Sequence, residues 1–231
     1  MLQESENYSS MIKKFNPNFA INESLSIDQL KSKAKGGDSC AQLNLSLKYQ
    51  SGDGVEQDNE LSLKWLNKSV DQGDQISEYV LGMMLLTGEN IKQNEKKGFE
   101  IMKRSADQGF SPAECSMGMI YRDGIAVEQN FIKSASWFTR SVEQENPVAM
   151  NELALLFAHG TGVERNNELA MMLLKKSSDM GYKIAEENLN KAINYINSLG
   201  DDDPSKPSPT NVTENVSLSA VSDVHKLKVV E

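Results

Sequence analysis

Histidine, cysteine and long apolar runs are what this chain has least of. Among 231 residues there are two histidines, His159 and His225, and two cysteines, Cys40 and Cys115. Metal sites need several such ligands at short spacings, so no metal centre is expected. Two cysteines cannot form the framework of a disulfide-stapled domain. No run of 18 apolar residues occurs, so no membrane insertion is expected. Lys and Arg number 24 against 33 Asp and Glu, a net charge of −9, and they form no basic run. Neutralising a phosphate backbone is therefore excluded, and nucleic acid with it. The first 25 residues are polar and lack a basic start followed by an apolar stretch. No secretion signal is read, and a cytoplasmic location is expected.

What is present is a period. Gly52, Gly88, Gly124 and Gly160 follow one another at intervals of 36 residues. Other positions keep the same frame. Three residues before the glycine stand Tyr49, Leu85, Tyr121 and Phe157, and seven before it Leu45, Leu81, Met117 and Leu153. Six before it the residue is small: Ser46, Gly82, Gly118 and Ala154. Six after it come Asp58, Asn94, Asn130 and Asn166; further on, Trp65, Ile101, Trp137 and Leu173 match, as do Ser69, Ser105, Ser141 and Ser177. A fixed period of this size marks a stacked-repeat architecture.

Within a repeat, Ala41, Leu45 and Tyr49 lie at i, i+4 and i+8 and trace one face of an amphipathic helix. Gly52 ends it, because glycine enters the left-handed conformation without a Cβ penalty. Asp58 and its Asn equivalents then cap a second helix carrying Leu63, Leu66 and Val70, which stops at Gly73. In the third repeat Glu145 stands where the closing glycine is expected and cannot supply its turn, but Asn146-Pro147 starts the next helix well. Upstream, Ser26 to Gly37 are in register with a lone second helix; downstream, Ala185, Leu189 and Ile193 continue the first-helix pattern. The expected architecture is all-α, an α/α solenoid of helix–turn–helix repeats in a right-handed superhelix. It divides into a half-unit 26–37, repeats 38–73, 74–109, 110–145 and 146–181, and a capping helix 182–199. A flexible leader 1–25 precedes it, and an acidic tail 200–231, rich in Pro, Ser, Thr and Asp, is expected to be disordered.

The motif A-x₃-L-[GAS]-x₂-[YF]-x₂-G-x-G-V-x₂-[DN], followed by A-x₂-W-x₃-[AS]-x₃-G, resembles the Sel-like (Sel-one) repeat, a relative of the tetratricopeptide repeat. Residues 52–55 and 160–163 keep the Gly-x-Gly-Val loop intact, whereas Asn90 and Ala126 replace its second glycine. The resemblance covers about 26–199 and implies an adaptor or scaffold that assembles other proteins, with no catalytic residues or cofactor. A cysteine-rich branch of that family, with a disulfide in each repeat, is linked to binding or hydrolysing β-lactams. Cys40 and Cys115 occupy different positions of repeats one and three, so they read as reduced thiols and the defining feature of that branch is missing.

Chemistry is otherwise sparse. The Gly-x-Gly turns follow no strand and lack a third glycine, so they are not a nucleotide fingerprint. Glu78, Glu114 and Glu186 recur at one repeat position, which argues for a role on each helix rather than for a catalytic pair. Trp65 and Trp137 share a position with Ile101 and Leu173 and read as core. Opposite the core face of each first helix, at 100° per residue, the sequence places Leu43 and Leu47; Tyr79, Met83 and Leu86; Cys115, Met119 and Arg122; Asn151 and Leu155. Apolar side chains there, with a Tyr, two Met and an Arg, are the expected partner-binding stripe on the concave side. The acidity favours a basic protein or peptide partner. One special case is an immunity-type inhibitor that neutralises a cognate toxin or effector.

Overall fold

The structure, a computed structural model, describes residue 12 and residues 15–198. The expected tail 200–231 and most of the first fourteen residues lie outside them. Among the described residues there are eleven α-helices and no strand. They are α1 (Pro17–Glu23), α2 (Ile27–Lys35), α3 (Ser39–Ser51), α4 (Asn59–Val70), α5 (Gln75–Thr87), α6 (Glu95–Asp107), α7 (Ser111–Asp123), α8 (Phe131–Glu143), α9 (Pro147–His159), α10 (Asn167–Asp179) and α11 (Lys183–Ser198). From α3 to α10 they alternate as first and second helices of four repeats. The chain forms two compact lobes, divided within α7 between Ala113 and Glu114.

The recurring residues have recurring jobs. Asp58, Asn94, Asn130 and Asn166 accept from the backbone N–H three residues on and so cap the second helices. Their own N–H groups donate back to the carbonyls of Tyr49, Leu85, Tyr121 and Phe157 at 2.8–2.9 Å, which fixes the turn. The turn glycine takes φ of +67° to +76°, and from Gly52, Gly88 and Gly160 the cap N–H reaches the carbonyl four residues back. The repeated serines tie the pair at its other end. Ser69, Ser105 and Ser177 Oγ donate to the carbonyls of Ser39, Gln75 and Pro147 at 2.9, 2.6 and 2.6 Å.

Small residues set the spacing of each pair. Ser46 and Ser62 share a hydroxyl hydrogen bond of 3.0 Å across the α3–α4 seam. One repeat later both positions are glycine, and a Cβ on Gly98 would stand 3.1 Å from the Gly82 carbonyl and 2.9 Å from Leu86 Cγ. Apolar clusters fill the layers: Leu30, Ala34, Ala41 and Leu45 in the N-terminal lobe. In the C-terminal lobe Phe138, Met150, Leu153, Phe157, Leu173, Ala185 and Leu189 belong to one cluster.

Three expectations change. Within the leader, residues 17–23 form a helix, α1, capped by Asn16, with Phe19 and Asn22 buried. Glu145 does supply the left-handed turn, at φ +58°, as do Asn90 and Ala126 at +59° and +60°. Trp65 and Trp137 are half-buried rather than core, each with a cation over its ring: Lys68 Nζ at 4.3 Å and Arg140 Cζ at 4.4 Å. Ile101 and Leu173, at the same repeat position, are buried.

Candidate partner-binding face

The first helices carry the expected stripe, but the structure divides it by burial. In the N-terminal lobe Leu43 is 1% exposed, and Met83 and Leu86 are also buried. Leu86 does not point away from its repeat. The Gly82–Gly98 approach draws α6 against it, so its side chain fills the seam. Helix α1 packs on α3, the helix that carries Leu43. Leu47 and Tyr79 stay half-buried. The Tyr79 ring stands edge-on to Phe110 at 5.4 Å, and Phe110 in turn meets Phe15 at 5.1 Å.

Around the start of α3, three asparagines converge near one thiol. Asn16 Nδ2 and Asn44 Nδ2 donate to Cys40 Sγ at 3.6 and 3.8 Å, while Asn22 Oδ1 accepts from Lys33 Nζ at 2.7 Å. Burial pushes the Cys40 thiol up from its ordinary value, outweighing the nearby amide donor of Asn22. Sequence reading missed this corner, although Asn16-Pro17 repeats the Asn-Pro helix start of 146–147.

In the C-terminal lobe Cys115 lies inside the apolar cluster and burial raises its thiol far above the ordinary range. Asn151 is 1% exposed, donating to Glu152 Oε1 at 3.1 Å and accepting from Asn188 Nδ2 at 2.9 Å. Met119, Arg122 and Leu155 are half-buried. Arg122 is not a free cation. Its Nε and one terminal nitrogen grip Asp123 at 2.6 and 2.9 Å, and the other terminal nitrogen bonds Glu152 Oε2. The Arg122 hydrogen bond holds the Asp123 carboxyl below its ordinary value. Two carboxylates on one guanidinium leave this patch with one net negative charge beside Met119 and Leu155.

Two other carboxylates are structural. Glu78 is buried against Arg104 at 3.0 Å and Gln108 at 2.7 Å, and Glu114 against Arg140 at 2.9 Å and Gln144 at 2.7 Å. Gln42 and Gln72 form the uncharged version at 2.7 Å. Among the described residues no group of three His, Cys, Asp or Glu stands where it could hold a metal ion. No described helix is long and apolar enough to cross a membrane.

Paired helices at a fixed period, with a shared capping and seam chemistry, define an α/α repeat protein. The Sel1 repeat model matches residues 41–74, 75–110, 111–146 and 147–182, and the chain belongs to that family. Among solved structures, a Sel1 repeat protein from Oxalobacter formigenes is 33% identical, with a TM-score of 0.65 over 70% of this chain and 47% of its own. Pseudomonas aeruginosa 5086 is 18% identical, with a TM-score of 0.51 over 97% of this chain and 83% of its own. A protective antigen of uropathogenic Escherichia coli, displaying an SLR fold, is 24% identical, with a TM-score of 0.47 over 74% of this chain and 44% of its own. The chain spans less than half the length of the Oxalobacter and Escherichia proteins. No curated protein sequence matches it.

Proposed function

We propose that this chain is a non-enzymatic binding module, an adaptor whose first helices hold a partner protein or peptide. The observation that carries this reading is the face around Met119 and Leu155. Two apolar side chains, one an adaptable thioether, stay half-exposed beside a rigid Arg122–Asp123–Glu152 set. The set's net negative charge favours a basic segment on the partner, as does the chain's overall −9. Within the stripe the accessible members are Leu47, Tyr79, Met119, Arg122 and Leu155. The buried ones act by supporting them. Cys40 and Cys115 are free and buried, which leaves a β-lactam hydrolase of the cysteine-rich kind without its disulfides.

The test is affinity for the partner across full-length variants. Met119→Asp and Leu155→Asp are expected to weaken binding at least ten-fold, about 1.4 kcal/mol. Lys103→Glu, on a second helix, is expected to leave it unchanged. Normal binding by both stripe variants with loss in Lys103→Glu would reverse the assignment.

A further inference from the structure

The segment around α1 is not part of the repeat. One period downstream, residues 53–58 are the loop between α3 and α4. Seven residues are too few to hold a helix alone in water, so packing keeps α1 in place. Ile12 and Phe19 are as buried as any core residue. The polar ties are weaker. Asn16 caps α1 itself and reaches α3 only through the Cys40 sulfur, at 3.6 Å, while the Asn22 amide accepts from Lys33 at 2.7 Å and turns its donor toward the same thiol. A thiol sulfur is a weak acceptor, so these amide contacts hold the segment less firmly than N–H···O bonds would, and release returns both amides to water. Phe15 and Ile21 are exposed apolar side chains on the same segment. Beside it lies a polar cleft of about 490 Å³, lined by Asn16, Asn18, Lys33, Asp38 and Gln72 among others.

We infer that α1, with Ile12 and Phe15 ahead of it, is an exchangeable occupant of the first-helix face of the N-terminal lobe, anchored by Phe19, covering Cys40 and giving way to a partner helix of the same kind. The competition with a partner rests on the binding-module reading. The exchange itself is a property of this chain alone. Cys40, 8% exposed and touched by Asn16, reports it directly. Burial raises the Cys40 thiol pKa, so undocking exposes the sulfur and frees more thiolate, and both effects speed its modification.

The experiment labels full-length Cys115→Ser protein with dithionitrobenzoate under native conditions, leaving Cys40 as the reporting thiol. Phe19→Ala is expected to raise the Cys40 labelling rate at least ten-fold, and a synthetic peptide of residues 12–23 to restore the slow rate. In the reciprocal Cys40→Ser chain, labelling of Cys115 is expected to be the same with and without Phe19→Ala. An unchanged Cys40 rate, or an equal rise at Cys115, would overturn the inference, because α1 would then be a fixed part of the fold. No partner enters this measurement. Its failure leaves the binding-module reading standing, and a failure of partner binding leaves the exchange standing.

Discussion

Ser134 shows how a single residue tests the seam chemistry. Each repeat carries two small residues 16 positions apart, Ser46 and Ser62, Gly82 and Gly98, Gly118 and Ser134, Ala154 and Ala170, and the structure sets Ser46 against Ser62 and Gly82 against Gly98. Ser62 has a hydroxyl partner, whereas the Ser134 hydroxyl is buried without one. Ser62→Ala is therefore expected to cost about 1 kcal/mol, since it orphans Ser46, while Ser134→Ala is neutral or stabilising. Thermal unfolding of the two variants checks this, and equal losses would contradict it. Ala126 offers a second case. Its φ of +60° strains any residue with a Cβ by roughly 1–2 kcal/mol, of which glycine's greater entropy in the unfolded chain takes back part. Ala126→Gly is expected to raise the urea midpoint, and a lowered midpoint would show that the loop carries no such strain. The recurring frame of the turn was legible in the spacing. The backbone of Glu145 was not, because the left-handed conformation there is held by its surroundings: Glu145 N–H donates to the Val142 carbonyl and Asn146 N–H to that of Ser141.

At the scale of the helix pair, packing decides what the sequence left ambiguous. Opposite faces at 100° per residue describe a lone helix well. In a pair that closes on Gly82 and Gly98, the neighbouring helix reaches round far enough to take in Leu86. Of the ten residues expected on the stripe, Leu47, Tyr79, Met119, Arg122 and Leu155 stay accessible, and the other five belong to the interior. Gly98→Ala should separate α5 from α6, because its Cβ would meet the Leu86 backbone N at 3.0 Å as well as its side chain. A loss of roughly 1–3 kcal/mol in denaturant unfolding is expected. The buried glutamates tie the other end of two pairs, α5–α6 and α7–α8, and make stability pH-dependent. Burial raises the carboxyls of Glu78 and Glu114 above their ordinary 4.5, against the pull of Arg104 and Arg140. Folded protein thus takes up these protons before unfolded protein does. Their contribution to stability is full below pH 4.5 and is lost as pH rises through the folded value. Wild type minus Glu114→Gln stability is expected to increase as pH falls from 7 toward 4.5, and a difference independent of pH would show that the carboxyl is solvated.

For the molecule as a whole, the period alone specified an all-helical repeat protein, because capping, turn and seam residues recur with it. The segment ahead of the repeats was less legible. Asn16-Pro17 and Phe19 signal a helix and an anchor, but nothing local says that they pack on α3, since that pairing joins residues far apart in sequence. The same limit applies to Glu152, whose hydrogen bond to Arg122 turns an expected cation into an acidic patch. The binding assignment is tested most directly by photo-crosslinking from full-length protein, with the reactive group placed in turn at Leu155 on α9 and at Lys103 on α6. The expected result is a covalent partner adduct from position 155 and none from position 103. An adduct from 103 alone would contradict the assignment and make the second helices the working surface.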